Sequence, residues 1–145
     1  MIFEIKQGDL FGLEKDYALV HCIAHDACMG AGIAKTFRKK YLWLKPLVRN
    51  SLSRYEYKPR CIYVHYGDIK VFNLVTKKLS FLKPTYKTLQ IALDELKEKC
   101  EINKIDKIAM PFIGCGLDKL DWNKVQKMIC ETFKDTDIEI QVRYL

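Results

Sequence analysis

Two segments of this chain share an arrangement that few folds accommodate: a short apolar run, then a glycine loop, then an amphipathic stretch. The first runs through Tyr17-Ala18-Leu19-Val20-His21-Cys22-Ile23 to Met29-Gly30-Ala31-Gly32, and then a helix-compatible stretch from Ile33 to about Tyr41. The second is Lys107-Ile108-Ala109-Met110, closed by Pro111. It leads through Ile113-Gly114-Cys115-Gly116-Leu117 to a segment carrying Trp122, Val125, Ile129 and Phe133. A strand that is apolar on both sides needs cover on both faces, which means a sheet between layers of helices.

The remaining segments fit around that frame. Residues 1 to 6 alternate about Phe3 and Ile5 and predict a first strand, closed by Gly8-Asp9. Between Leu42 and Lys58 a short helix and a loop are expected before Pro59. Cys61-Ile62-Tyr63-Val64-His65-Tyr66 and Lys70-Val71-Phe72-Asn73-Leu74-Val75 flank Gly67-Asp68, the pattern of a hairpin. After Pro84-Thr85, Tyr86, Leu89, Leu93, Leu96 and Cys100 recur at three-four spacing and mark one apolar helix face. Asp121 is suited to cap the helix that follows it, and Ile138 to Tyr144 alternates as a half-buried strand. Strands interleaved with helices predict an α/β fold in one domain spanning 1–145, and the hairpin makes its sheet mixed, mostly parallel.

Composition removes several classes. Forty-nine per cent of residues are hydrophobic and 30% charged, which is ordinary for a globular protein, and no apolar stretch approaches membrane-spanning length. The N-terminus lacks the apolar run of a signal peptide, so a cytoplasmic (in a eukaryote, alternatively nuclear) protein without membrane attachment is expected. Six cysteines then read as reduced thiols. His21, Cys22, His25 and Cys28 lie close in sequence, but structural zinc takes paired ligands from two separate segments, so no metal is expected. A net charge of +7 favours polyanions without demonstrating a nucleic-acid groove, because the lysines are spread along the chain. No interface stripe stands out, and a monomer is expected.

Glycine loops at the carboxyl ends of strands let backbone amides approach a phosphate, and two of them can embrace a diphosphate. Familiar nucleotide motifs fail. Gly30-Ala31-Gly32-Ile33-Ala34-Lys35-Thr36 has alanine before Lys35 and the wrong spacing for a phosphate-binding P-loop, and a dinucleotide fingerprint needs glycine where Lys35 stands. Taken singly, each loop is equally well a tight turn before a helix cap.

Taken together, the segments resemble one family over nearly the whole chain. Gly8-Asp9-Leu10, the stretch from Cys22 to Ala34, Leu74-Val75-Thr76-Lys77-Lys78, Lys83-Pro84-Thr85-Tyr86, and Met110 to Asp118 are similar, in that order, to macrodomains of the terminal ADP-ribose protein glycohydrolase type. The resemblance implies a macrodomain fold and ADP-ribose as ligand or product, with no cofactor. It implies that Asp9 and Leu10 meet the adenine, and that Gly30, Ala31, Gly32 and Ile33 line the distal ribose and diphosphate. Gly114, Cys115, Gly116 and Leu117 would close over the other side of the diphosphate. Cys22, Thr76, Pro111 and Ile113 complete the implied binding set. Lys77 and Asp118 match the catalytic lysine and aspartate.

Those residue types suit the implied chemistry. A lysine amine attacking the anomeric carbon is Schiff-base covalent catalysis, and a carboxylate opposite it can carry the proton. Alone, Lys77 would pass for a solvated surface lysine and Asp118 for a turn or cap residue. The implied enzyme removes mono-ADP-ribose from acidic side chains of proteins, and its range extends to deacetylation of O-acetyl-ADP-ribose. Two alternatives stand beside it: release of ADP-ribose from ADP-ribosylated DNA bases, as in related antitoxins, and a reader that binds ADP-ribose without turnover. Human-type members carry a serine where this chain has Ala24, so that hydroxyl contact to the ligand is either missing or replaced by His25 or Asp26; His25 is equally well an exposed loop residue. Tyr144 is either an adenine contact or a half-buried strand tyrosine.

Overall fold

The computed structural model describes all 145 residues. The chain runs β1 (Ile2–Gln7), a 3-10 turn (Leu10–Leu13), β2 (Ala18–Ala24), α1 (Gly32–Lys40), α2 (Leu44–Leu52), β3 (Arg60–Tyr66), β4 (Ile69–Lys77), α3 (Tyr86–Ile102), β5 (Lys107–Met110), α4 (Trp122–Phe133) and β6 (Glu139–Tyr144). Six strands form one sheet in the order β1-β6-β5-β2-β4-β3. Every neighbouring pair is parallel except the β3–β4 hairpin, as the Gly67-Asp68 turn predicts. No helix is long and apolar enough to cross a membrane.

Two cores explain the sandwich. On one face Leu89, Leu93 and Leu96 of α3 and Val125, Ile129 and Phe133 of α4 pack on Phe72, Leu74, Ile108 and Val142. On the other, Phe37, Leu44, Val48 and Leu52 of α1 and α2 pack on Leu19, Val71 and Val75. Burying each such side chain contributes about 1.5–3 kcal/mol. Cap chemistry sets the helix starts. The Thr85 and Thr88 side chains satisfy each other's backbone amides at the head of α3, and Asp121 accepts from the Asn123 amide at 3.1 Å at the head of α4.

Two expectations change, and one element is added. Ile5 does not join the core and is 38% exposed, because β1 is an edge strand; only Phe3 of that strand is half-buried. β6 lies inside the sheet rather than half-buried, so Gln141 is buried between Ile140 and Val142. Its amide donates to Glu4 at 2.9 Å and accepts from Arg143 at 3.2 Å, which satisfies a polar group that would otherwise be costly there. The short helical turn after Asp9 has no periodic signal, being a single turn; Asp9 starts it by accepting the Phe11 amide at 3.0 Å.

Candidate active site

Because β5, β2 and β4 are adjacent and parallel, the loops after them leave the sheet at one end and converge. Together they enclose a cleft of 710 Å³, within the range of ligand sites. The loop after β2 and the start of α1 supply one wall, the loop after β5 supplies the opposite wall, and Lys77 enters from the end of β4.

Both walls present unused backbone donors. Ala31, the residue before α1, makes no side-chain cap, and no acidic residue occupies the first turn. The amides of Gly32, Ile33 and Ala34 therefore point out of the helix without protein acceptors, at its positive end. Across the cleft, the amides of Gly116 and Leu117 also donate to no protein group. The arrangement fits an anion held from two sides. Glycine is required at Gly32 and Gly114, which stand at φ +58° and +73°, and a side chain on Gly114 would press on Leu120 at 3.1 Å.

Lys77 and Asp118 meet in this cleft. Lys77 Nζ lies 2.7 Å from Asp118 Oδ1, and both side chains are largely screened from solvent, at 14% and 15% exposure. The register between β2 and β4 helps to bring Lys77 there. It slips by one residue after Ile23, so that Lys77, not Thr76, stands opposite Ala24. Such slips re-aim side chains at strand ends.

The two thiols in the cleft are poor nucleophiles. Burial pushes the Cys22 thiol far up, with the Asp118 charge adding to it. Burial likewise pushes Cys115 up to about 11, helped by Asp121. A thiol so shifted carries almost no thiolate near neutral pH.

Most of the residues named from sequence converge: Cys22, Gly30, Ala31, Gly32, Ile33, Lys77, Pro111, Ile113, Gly114, Cys115, Gly116, Leu117 and Asp118 all line the cleft. Three lie outside its lining. Leu10 is buried in the core beside Phe11, Thr76 is 1% exposed with its hydroxyl unpartnered, and Asp9 caps the 3-10 turn. Asp9 is linked to the cleft only through its neighbours. The adjacent Gly8 amide donates to the Tyr144 carbonyl at 2.8 Å, and the Tyr144 ring stacks on the cleft residue Phe112 at 5.7 Å.

Ile23, Met29, Ala34, Ser80, Phe81, Lys83 and Phe112 also line the cleft and are not among the ligand contacts expected from the sequence, and Ala24, which stands where relatives carry a serine, lines it too. Phe112 adjoins the second glycine loop, the one local signal available for it. Phe81 is 77% exposed at the mouth, with nothing in its neighbourhood to mark it.

The histidines and nearby cysteines do not assemble a metal centre. Adjacent residues of a strand face opposite ways: His21 stacks on Phe37 at 4.0 Å, whereas Cys22 packs toward the α3–α4 core. His25 sits edge-on to Tyr57, Cys28 is exposed, and no group of three or more potential ligands occurs anywhere.

No family model matches the chain. It is 42% identical to the human ADP-ribose glycohydrolase OARD1 over 137 residues, covering 94% of this chain and 87% of that protein. In fold it is similar to the macrodomain of Mycobacterium tuberculosis DarG, with a TM-score of 0.90 at 23% identity, over 99% of this chain and 98% of that one. It is also similar to Thermosipho africanus DarTG, solved in complex with ADP-ribose: TM-score 0.85, 18% identity, 98% of this chain and 41% of that chain. A mixed, mostly parallel sheet between helices, a cleft that offers amides from both walls and this level of identity lead to one conclusion: the chain is a macrodomain and belongs to the ADP-ribose glycohydrolase family that includes OARD1.

Proposed function

We propose that this enzyme releases mono-ADP-ribose from acidic side chains of proteins, with Lys77 as nucleophile and Asp118 as proton carrier. The observation that carries the proposal is the 2.7 Å contact between them inside a cleft whose facing amides suit a diphosphate. Asp118 takes one proton from the Lys77 ammonium, and the freed amine attacks the anomeric carbon of the distal ribose as the bond to the carrier carboxylate breaks with its electron pair. The second proton of the amine leaves with the departing carboxylate. Ring opening turns the resulting glycosylamine into an imine, which water hydrolyses to ADP-ribose and free Lys77. The scheme uses an amine, a carboxylate and water.

The adenosine end would lie toward Phe112, Tyr144 and Asp9, where Asp9 Oδ2 is left for the adenine amino group once Oδ1 has accepted from Phe11. Cys22, Ile113 and Pro111 would form the floor beneath the diphosphate. O-acetyl-ADP-ribose is a smaller ester that the same pair would cleave. Acting on such substrates, the enzyme would work as a monomer without a cofactor.

A nucleic-acid carrier is the second reading, favoured by the net charge of +7 and by exposed Lys78, Lys83 and Lys119 on the loops around the cleft. The deciding experiment offers the protein a glutamate-linked ADP-ribosyl protein and an ADP-ribosylated single-stranded DNA, with Lys77→Ala and Asp118→Ala beside the wild type. Release from the protein substrate alone supports the first reading, and release from DNA alone the second. Binding of ADP-ribose with no release from either leaves a reader.

A further inference from the structure

We propose that Asp26, a residue to which the scheme above gives no part, positions Lys77 by locking the ligand-cradling loop 25–31 to the segment that carries the lysine. The inference rests on the reading of Lys77 as the nucleophile.

The geometry is a double latch. One carboxylate oxygen of Asp26 accepts the Cys28 amide at 3.0 Å, within its own loop. The other accepts the Ser80 amide at 2.8 Å, from the segment just past Lys77. The neighbouring His25 amide donates to the Lys77 carbonyl at 2.9 Å. Lys77 is therefore held from the same short stretch at two points that follow its Cα: at its own carbonyl by His25, and three residues later by Asp26. The far side of the loop is fixed as well, because Lys45 Nζ donates to the Cys28 carbonyl at 3.0 Å.

The loop so held is strained. Ala27 and Met29 stand at φ +51° and +49°, where a side chain costs about 1–2 kcal/mol each. Such conformations persist only when their surroundings over-determine them, and both residues are buried. The carboxylate is also kept charged. Partial burial opposes its ionisation, but the Cys28 and Ser80 amides, the Ser80 hydroxyl and the Lys77 charge outweigh this and lower its pKa. An ionised carboxylate can accept both amides at once, whereas an amide side chain offers a single acceptor oxygen.

The position of the attacking amine matters steeply, because a misplacement of about 1 Å can cost about 100-fold in rate. β4 ends at Lys77, immediately after the register slip, so the strand ladder alone fixes the lysine on one side only. The Asp26 latch supplies the other constraint.

The test compares Asp26→Asn and Asp26→Glu with the wild type and Lys77→Ala, measuring kcat, affinity for free ADP-ribose and the thermal midpoint. Asp26→Asn keeps the size and loses one acceptor; Asp26→Glu keeps the charge and displaces it by a methylene, and decides the matter if the asparagine variant does not fold. The expected result is a kcat lower by about tenfold or more, with a much smaller change in ADP-ribose affinity. A wild-type kcat in a folded variant overturns the role of Asp26 and leaves that of Lys77 standing. A parallel fall of affinity and thermal midpoint at unchanged kcat also overturns it, because Asp26 then only supports the loop. Turnover by Lys77→Ala overturns the catalytic reading itself.

Discussion

The Leu117 side chain reaches across the cleft to Gly32, where its Cδ1 lies 3.3 Å from the position a Cβ would take. The two residues belong to opposite glycine loops, so the contact bridges the two walls of the cleft. Leu117 is 60% exposed and can give way, whereas the backbone of Gly32, at φ +58°, cannot take a side chain without strain.

Gly32→Ala is therefore expected to destabilise the fold by about 1 kcal/mol through backbone strain. ADP-ribose affinity should fall further, because the first amides of α1 must turn to relieve that strain. Calorimetric titration and urea denaturation of the same sample check the two effects separately. An alanine variant with unchanged affinity would remove the α1 amides from the ligand site.

Lys77→Ala should abolish turnover while ADP-ribose still binds. Asp118→Ala should lower kcat by about 100-fold or more, the usual worth of a positioned proton-transfer group. Borohydride added during turnover should reduce the imine and leave ADP-ribose covalently attached at Lys77, as read by peptide mass spectrometry. Attachment at another lysine would assign the nucleophile elsewhere.

His21 predicts an acid sensitivity of the fold. It is fully buried, Nε2 lies 2.6 Å from Asn73 Oδ1, and burial, only partly offset by that contact, pushes its pKa from the ordinary 6.5 down to about 4. Between those values the unfolded imidazole is protonated and the folded one is not, so the unfolded state binds more protons and stability falls as pH drops. From pH 7 to pH 4.5 the loss from this residue is about 2 kcal/mol. Urea denaturation at both pH values should show it, and His21→Gln should lose that part of the difference.

Cysteine labelling should follow exposure. Iodoacetamide at pH 7.5 is expected to modify Cys28 first, since it is the exposed thiol. Cys61 and Cys100 are buried, and burial raises both, as it does Cys22 and Cys115 in the cleft. Time-resolved peptide mapping reads the order; early labelling of Cys22 would mean that the cleft opens far wider than its walls here allow.

The elements of this fold and most of the cleft were legible in the sequence because their signals are local. The apolar run at Tyr17–Ile23, the stripe from Tyr86 to Cys100 and the Gly67-Asp68 turn each act over a few residues, where backbone sterics and periodicity decide. Motif resemblance added the pairing of Lys77 with Asp118. Tertiary structure decided what depends on partners distant in the chain. Strand order buried Gln141 between β1 and β5 and left Ile5 at the edge. The slip between β2 and β4 put Lys77, not Thr76, opposite Ala24. Packing under the sheet took Leu10 into the core. Convergence of three loops gave Asp26 its second amide, Phe81 its place at the mouth and Phe112 its stack on Tyr144. No local pattern encodes these, because each depends on which strand lies beside which, and that choice is made by burying both faces of the sheet at once.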